Sequence, residues 1–356
     1  MEKEVELIVK IQEHCFESEN WIKTIKYIIK VTDLTGESTV KRSSKDFKLL
    51  RNYLVTWWPG CPIPAIPNAY TKKKPNQSLI PMCIIAHDIF LSKIISKDFF
   101  IKSEIVEAFI RNPGKFSLNT FIYKISNYSA IAEKFEDSFK EDLDYQINTD
   151  IIIQLHEVRE KLIKNLKTAE NLEKLIRNNC GSVDRFKKIS QDLNKEYYVV
   201  QQWLKSGIEE KILDFMEINP RQNIEIWFVS QKETYDGVIE AIHSIDELIK
   251  AREHTESNIN STSLELNKLA LGKRTFASFI SKSEDIMKRK HQQLDELNDK
   301  LKALDIIIPI ISSKLLNIDV PDIEKKYSQS FKDEVKGLLG IFAKKLGDIK
   351  KTIMKR

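Results

Sequence analysis

Lys72, Lys73 and Lys74 stand in one run between Tyr70 and Pro75. Ammonium groups clustered this way attract an anionic surface by about 1 kcal/mol each. Tyr70, with an apolar ring and a polar tip, suits the interface beside them. An ordinary solvated loop has the same composition. A second basic stretch covers 268–290. There Lys268, Lys273, Arg274, Lys282, Lys288, Arg289 and Lys290 oppose only Glu284 and Asp285, with Phe276, Phe279 and Ile280 between them. Coulomb attraction combined with apolar insertion fits lipid headgroups. A charged helix end whose phenylalanines close a core reads the same way. Lys187, Lys188 and Lys195 fall where the spacing is helical, and a solvated face is the plainer account of them.

Catalytic chemistry has no comparable footing. Gly272-Lys-Arg-Thr lacks the upstream glycine of a phosphate-binding loop, because Asn267 stands in its place. Neither HExxH nor GxSxG occurs. The four cysteines, at 15, 61, 83 and 180, form no CxxC pair, so neither a disulfide framework nor a zinc site is signalled. His87 lies on an apolar helical face and reads as a core residue rather than a ligand. We expect no enzyme, no metal and no cofactor.

The elements that would position these residues divide at about residue 114. Seven of the ten prolines lie between 59 and 113. None occurs from 114 to 219 or from 222 to 308, which leaves those stretches free to be helical. Residues 1–115 hold 18 basic and 13 acidic side chains and so carry the whole net charge of +5. That excess is too small for wholesale wrapping of nucleic acid. The remainder is charge-balanced, as a solvated helical rod is. In the first third, Val5–Ile11, Trp21–Val31 and Ser38–Lys41 predict three antiparallel strands. Ser44 is the expected cap of a helix that stops at Pro59-Gly60, and helices are expected over 79–96 and 103–110. Beyond 114, Leu294, Leu297, Leu301, Leu304, Ile308, Ile311, Leu315 and Ile318 step by three and four, a heptad seam with Pro309 inside it. Breaks are expected near Asn219-Pro220, Leu271-Gly272 and Asp319-Val-Pro321. The result is three long antiparallel helices whose apolar stripes pack on each other and on a second chain. The longest apolar runs fall far short of a membrane span. The acidic N-terminus lacks a signal-peptide pattern. The chain therefore reads as soluble and cytosolic.

With both halves in view, the sequence resembles the sorting nexins that join a PX domain to a C-terminal BAR domain. Val40-Lys-Arg-Ser-Ser-Lys-Asp-Phe stands where that family has V-x-R-R-Y-S-D-F. Pro59-Gly-Cys-Pro-Ile-Pro-Ala-Ile-Pro looks like its proline-rich segment, and Phe90-Leu-Ser-Lys-Ile-Ile with Phe99–Ile110 looks like its closing helices. The resemblance implies an α+β PX domain over 1–113, an amphipathic linker helix over 114–135 and an all-α BAR domain of three long antiparallel helices over 136–356. That linker helix would either wedge into a bilayer or, as its few lysines favour, pack on the helical bundle. The family's headgroup pocket uses an arginine for the 3-phosphate and an aromatic for the inositol ring. Here those positions are Ser43 and Ser44, and Ala69 and Cys83–Ile85 stand where further cations are usual. Serine cannot make a bidentate guanidinium–phosphate pair. Substitutes lie nearby in Lys41, Arg42, Lys45 and Lys72–Lys74, acting as less selective charges. Residues 268–290 become the tip joining two BAR helices.

The resemblance implies a peripheral protein of endosomal sorting. It would bind phosphoinositide-containing or anionic membranes as a BAR dimer, homo- or heteromeric, and sense or induce curvature. The competing expectation is an adaptor or retromer-type coat subunit whose PX domain holds cargo or a partner, with the proline-rich surface as one capture site. Neither account involves nucleic acid.

Overall fold

The computed structural model describes residues 7–19, 22–34, 36–66, 80–118, 128–139, 149–168, 170–171, 174, 220–271 and 283–354. The first strand, β1, spans Ile8–Glu19, β2 spans Ile22–Asp33 and β3 spans Gly36–Ser43. They pair antiparallel in the order β1-β2-β3. The alternation in β2 is what the sequence predicts: Ile25, Tyr27, Ile29 and Val31 are buried, every second residue facing the helices. β1 runs well past the expected Ile11, because a register shift between Ile11 and Glu13 lets its acidic second half stay paired with β2.

Helix α1, Ser44–Trp57, starts one residue earlier than expected. Its cap is Ser43, which accepts from the Asp46 backbone while Asp46 reaches back to the cap backbone. The helices α2 (Ile80–Ile95), α3 (Asp98–Ile101) and α4 (Glu104–Arg111) close the domain over Phe47, Phe90 and Phe109. The short α3 was not foreseen.

Of the helix expected over 114–135, residues 119–127 lie outside the described residues. Residues 115–118 are irregular. The next helix, α5, is Tyr128–Phe139 and buries Ile131, Ala132, Phe135 and Phe139 along one face. After Pro113-Gly114 the chain turns Phe116 into the core instead, edge-on to Phe109 with centroids 5.0 Å apart.

Three long helical stretches follow among the described residues. They are α6 (149–168), α7 (Pro220–Ala270) and a continuous run made of α8 (Ser283–Lys314), a π-helical turn (Leu315–Asp319) and α9 (Val320–Met354). The ion pairs Arg252–Asp305 at 2.6 Å and Glu265–Lys290 at 2.8 Å step in opposite directions along α7 and α8, which makes those two antiparallel. The expected break at Asp319-Val-Pro321 does not occur. The Val320 N–H donates to the Leu315 carbonyl five residues back, so the turn widens and helix resumes. Pro321 follows directly, and the widened turn takes up the proline without ending the helix.

The chain forms two compact units. The first comprises Met1–Glu160 with Asp236–Pro321, and the second Lys161–Tyr235 with Asp322–Arg356. In the second, Tyr327 packs edge-on against Trp227 and Tyr235 and donates to the Ser230 carbonyl at 2.8 Å, while Lys161 pairs with Glu324 at 2.7 Å. In the first, α8 from Ala303 to Lys314 is buried or half-buried on every side. A helix so enclosed needs apolar residues all round, and Ile306–Ile311 supplies them.

Candidate functional site

The strand-to-helix corner at Ser43 and Ser44 is where the headgroup pocket was expected, and its polar groups are internally matched. The Asp46 carboxylate accepts from the Ser43 N–H at 2.7 Å and from the Ser43 hydroxyl at 2.8 Å. Ser44 Oγ lies 3.2 Å from the Tyr27 hydroxyl. Behind them the Tyr27 ring stacks on His87, centroids 4.5 Å apart, and Phe47 meets the same imidazole edge-on at 4.5 Å. His87 is fully buried. Its Nδ1 faces the Cys83 carbonyl at 2.6 Å, so Nδ1 carries the proton. Burial pushes this imidazole down to about 4, against a smaller opposing effect of the Cys83 carbonyl, and pushes the Tyr27 phenol up to about 12. The corner is therefore electrically neutral at pH 7 apart from the capping carboxylate.

Arg42, one residue before, is 1% exposed. Its Nε donates to the Phe109 carbonyl at 2.8 Å, Nη1 to the Lys41 and Gly114 carbonyls, and Nη2 to the Ala108 and Asn112 carbonyls. All five N–H donors of a guanidinium are thus spent on backbone. Phe109 and Asn112 lie at the C-terminal end of α4, so Arg42 satisfies carbonyls that a helix end leaves open, shares the Ala108 carbonyl with the Asn112 N–H, and sets a positive charge against the helix dipole. That corrects the expectation of a lipid contact at this residue: no donor is left for a phosphate.

The other expected cations fall on separate elements. Lys41 at the end of β3 is exposed and pairs with Glu17 at 2.7 Å. Lys45 is exposed on the first turn of α1. Lys288 and Arg289 are exposed at the start of α8, and Lys290 is half-buried against Glu265 of α7. Tyr70, Lys72, Lys73, Lys74, Lys273, Arg274 and Lys282 lie outside the described residues.

The proline-rich segment is not the free capture surface that was expected. Residues 58–61, Ile63 and Pro64 are buried within the first unit, between the N-terminal domain and helices α7 and α8. Gly60 has φ +75°, and a Cβ there would come within 2.5 Å of Ile311. A Cβ on Gly237 of α7 would come within 2.4 Å of the Ile63 carbonyl oxygen. Arg51 ties the seat by donating to the Pro64 carbonyl at 2.8 Å and pairing with Glu240. On the far side Asp319 of the π turn is held by Lys314 and, at 3.0 Å, by Lys97. Beside this joint opens a cleft of about 610 Å³ lined by Trp58 and Phe99 and by Asp98, Lys102, Glu133, Lys134 and Asp137. Sequence reasoning missed Gly237, Asp319 and Lys134. Only Gly237 left a trace, as a lone glycine in a long helical pattern.

Set against known proteins, residues 30–113 match the family model of the PX domain. The cryo-EM structure of the SNX-BAR Mvp1 tetramer is similar over 96% of this chain and 99% of that one, with a TM-score of 0.54 and 16% identity. The X-ray structure of a designed CISK-PX domain is matched over 29% of this chain and 97% of that one, at 23% identity and a TM-score of 0.26. No curated protein matches the sequence. The chain thus carries a PX domain and, along nearly all its length, the PX-plus-BAR fold of a sorting nexin.

Proposed function

From a PX domain seated on long BAR-type helices, we propose that this is a non-enzymatic peripheral membrane protein of endosomal sorting that binds anionic membranes as a BAR dimer and responds to their curvature. The observation that carries this reading is the pairing of the two folds in one chain through an interlocked joint, since a PX domain packed on the helices reports to lipid together with them. The neutral corner at Ser43 and Ser44 supports binding through dispersed lysines and through avidity between two copies rather than through one headgroup pocket. Among the described residues, Lys45, Lys288 and Arg289 are the cations this assigns to lipid, together with Lys41 in competition with Glu17; outside them, Tyr70, Lys72–Lys74, Lys273, Arg274 and Lys282 keep the same assignment.

The test is co-sedimentation with vesicles of neutral lipid and with vesicles carrying a graded share of anionic lipid. Binding that rises with the anionic fraction and falls with salt is the expected result. The same neutral corner favours a second reading, an adaptor whose PX domain engages a cargo or coat protein. Absence of vesicle binding at any anionic fraction would establish that reading over the first.

A further inference from the structure

A cation of the chain itself occupies the aromatic wall of the cleft beside the joint. Lys134 of α5 sets its ammonium 3.8 Å from the centroid of the Trp58 ring and 4.6 Å from that of Trp57. Ring faces draw a cation through their quadrupole. Trp58 lines the cleft yet is 1% exposed. Lys134 lies over it, and Phe135 and Phe139 of the same helix pack round it with centroids 5.4 and 6.2 Å away. The Trp58 indole N–H meets no acceptor among the described residues. A buried donor left unmet costs stability that an acceptor from outside would return.

The rim of the cleft carries the opposite charge. Asp98 of α3 and Glu133 and Asp137 of α5 line it and are exposed, and Phe99 beside Asp98 is half-buried. With the Lys134 charge spent on the rings, Lys102 is set against these three carboxylates. The volume, about 610 Å³, is that of a site for a short peptide stretch rather than a lone ion.

We propose that the cleft docks an arginine from a basic segment of a partner protein, and that Lys134 is the stand-in this arginine displaces. A guanidinium stacks flat on an indole, where a compact ammonium makes only a point contact. Its fork also suits carboxylates such as Asp98 and Glu133. The peptide that carries it brings backbone carbonyls, the acceptor that the Trp58 N–H lacks. The displaced Lys134 ammonium keeps a partner, since Asp137 stands at the i,i+3 spacing in α5.

Fluorescein-labelled tetra-arginine, tetra-lysine and tetra-glutamate peptides, titrated against the full-length protein and read by anisotropy, test this. Tetra-arginine should bind several-fold tighter than tetra-lysine, and tetra-glutamate should not bind. Lys134→Met vacates the rings and should tighten tetra-arginine binding about 3- to 10-fold. Lys134→Arg installs a better incumbent and should weaken it by a similar factor. Asp98→Asn with Glu133→Gln should weaken it about 5-fold. The two Lys134 variants thus move in opposite directions, which neither general charge attraction nor loss of fold produces. Amide-exchange protection over 98–103 and 130–138 on adding tetra-arginine to the unaltered protein is a check that needs no variant. Equal binding of the arginine and glutamate peptides, a shift of the same sign in Lys134→Met and Lys134→Arg, or absence of that protection overturns the proposal. So does displacement of tetra-arginine by phosphocholine as readily as by free arginine, which would put a lipid headgroup in the cleft. No vesicle enters these measurements, so the outcome is independent of the lipid-binding reading.

Discussion

At the residue scale, Arg42 separates what a side chain type suggests from what its place allows. A basic residue beside the expected headgroup corner was counted as a lipid contact, yet it clamps the end of α4. Removing its head leaves the carbonyls of residues 109, 112 and 114 short of a buried partner. Arg42→Leu should lower unfolding stability by about 3 to 5 kcal/mol, in the range for breaking a buried charged network. Arg42→Lys should recover little of it, because an ammonium cannot reproduce the planar fork. Urea unfolding of both variants checks this. His87 gives a prediction in pH. Its folded form resists protonation down to about 4, whereas an unfolded histidine protonates near 6.5. The unfolded state thus takes up a proton that the folded state refuses. Stability should fall by about 3 kcal/mol as pH drops from 6.5 to 4 and then level off with respect to this group. His87→Phe should lose that part of the slope, measured from urea midpoints across the range. The composition of the corner was legible in the sequence: two serines stand where the family has an arginine and an aromatic. The five-carbonyl clamp was not, because four of its carbonyls lie more than 60 positions away and nothing local marks them.

At the element scale, strand alternation, the cap before α1 and the helix-permitting stretches past 114 could be read because each is set by neighbours in sequence. One miss was in how proline is absorbed: Pro321 marks a helix end by the usual reading, and a π turn dissolved it. Pro113-Gly114 likewise gave no sign that Phe116 would enter the core. The seat of the PX domain is the least legible part, since it depends on two glycines meeting segments far away. Gly237 shows what holds it. A methyl group there would stand 2.4 Å from the Ile63 carbonyl oxygen, backbone that cannot swing aside. Gly237→Ala would raise helix propensity by about 1 kcal/mol, so an unseated helix would be stabilised. In the seated protein, overpacking should win and cost about 1 to 3 kcal/mol. The check is exchange protection over 58–66: a marked drop in Gly237→Ala, with α7 itself still helical by circular dichroism, is the expected pair of results. Unchanged protection would mean that the proline-rich segment does not bear on α7.

At the scale of the whole molecule, the question is how a sorting-nexin fold with a neutral corner would choose a membrane. Coulomb attraction from scattered ammonium groups counts charge and ignores stereochemistry, whereas a guanidinium fork reads one phosphate. Vesicles matched in total charge, with and without a 3-phosphorylated inositide, should therefore bind this protein within about a factor of two of one another. Both should weaken together between ~50 and ~300 mM salt as the Debye length shortens. Cations already paired within the chain should contribute least. Lys41→Glu together with Glu17→Lys should change affinity little, because the pair, 2.7 Å apart, then keeps its net charge. Lys288→Glu with Arg289→Glu should reduce it by about 30-fold or more and flatten the salt dependence, since both are exposed and each reversal removes about 1 kcal/mol of attraction or more. The comparison also decides between the two readings of function, because a protein-only adaptor predicts no difference among any of these variants on vesicles. A strong preference for the inositide at equal charge would contradict the neutral corner. It would require a phosphate site built from residues other than Ser43, Ser44 and Arg42.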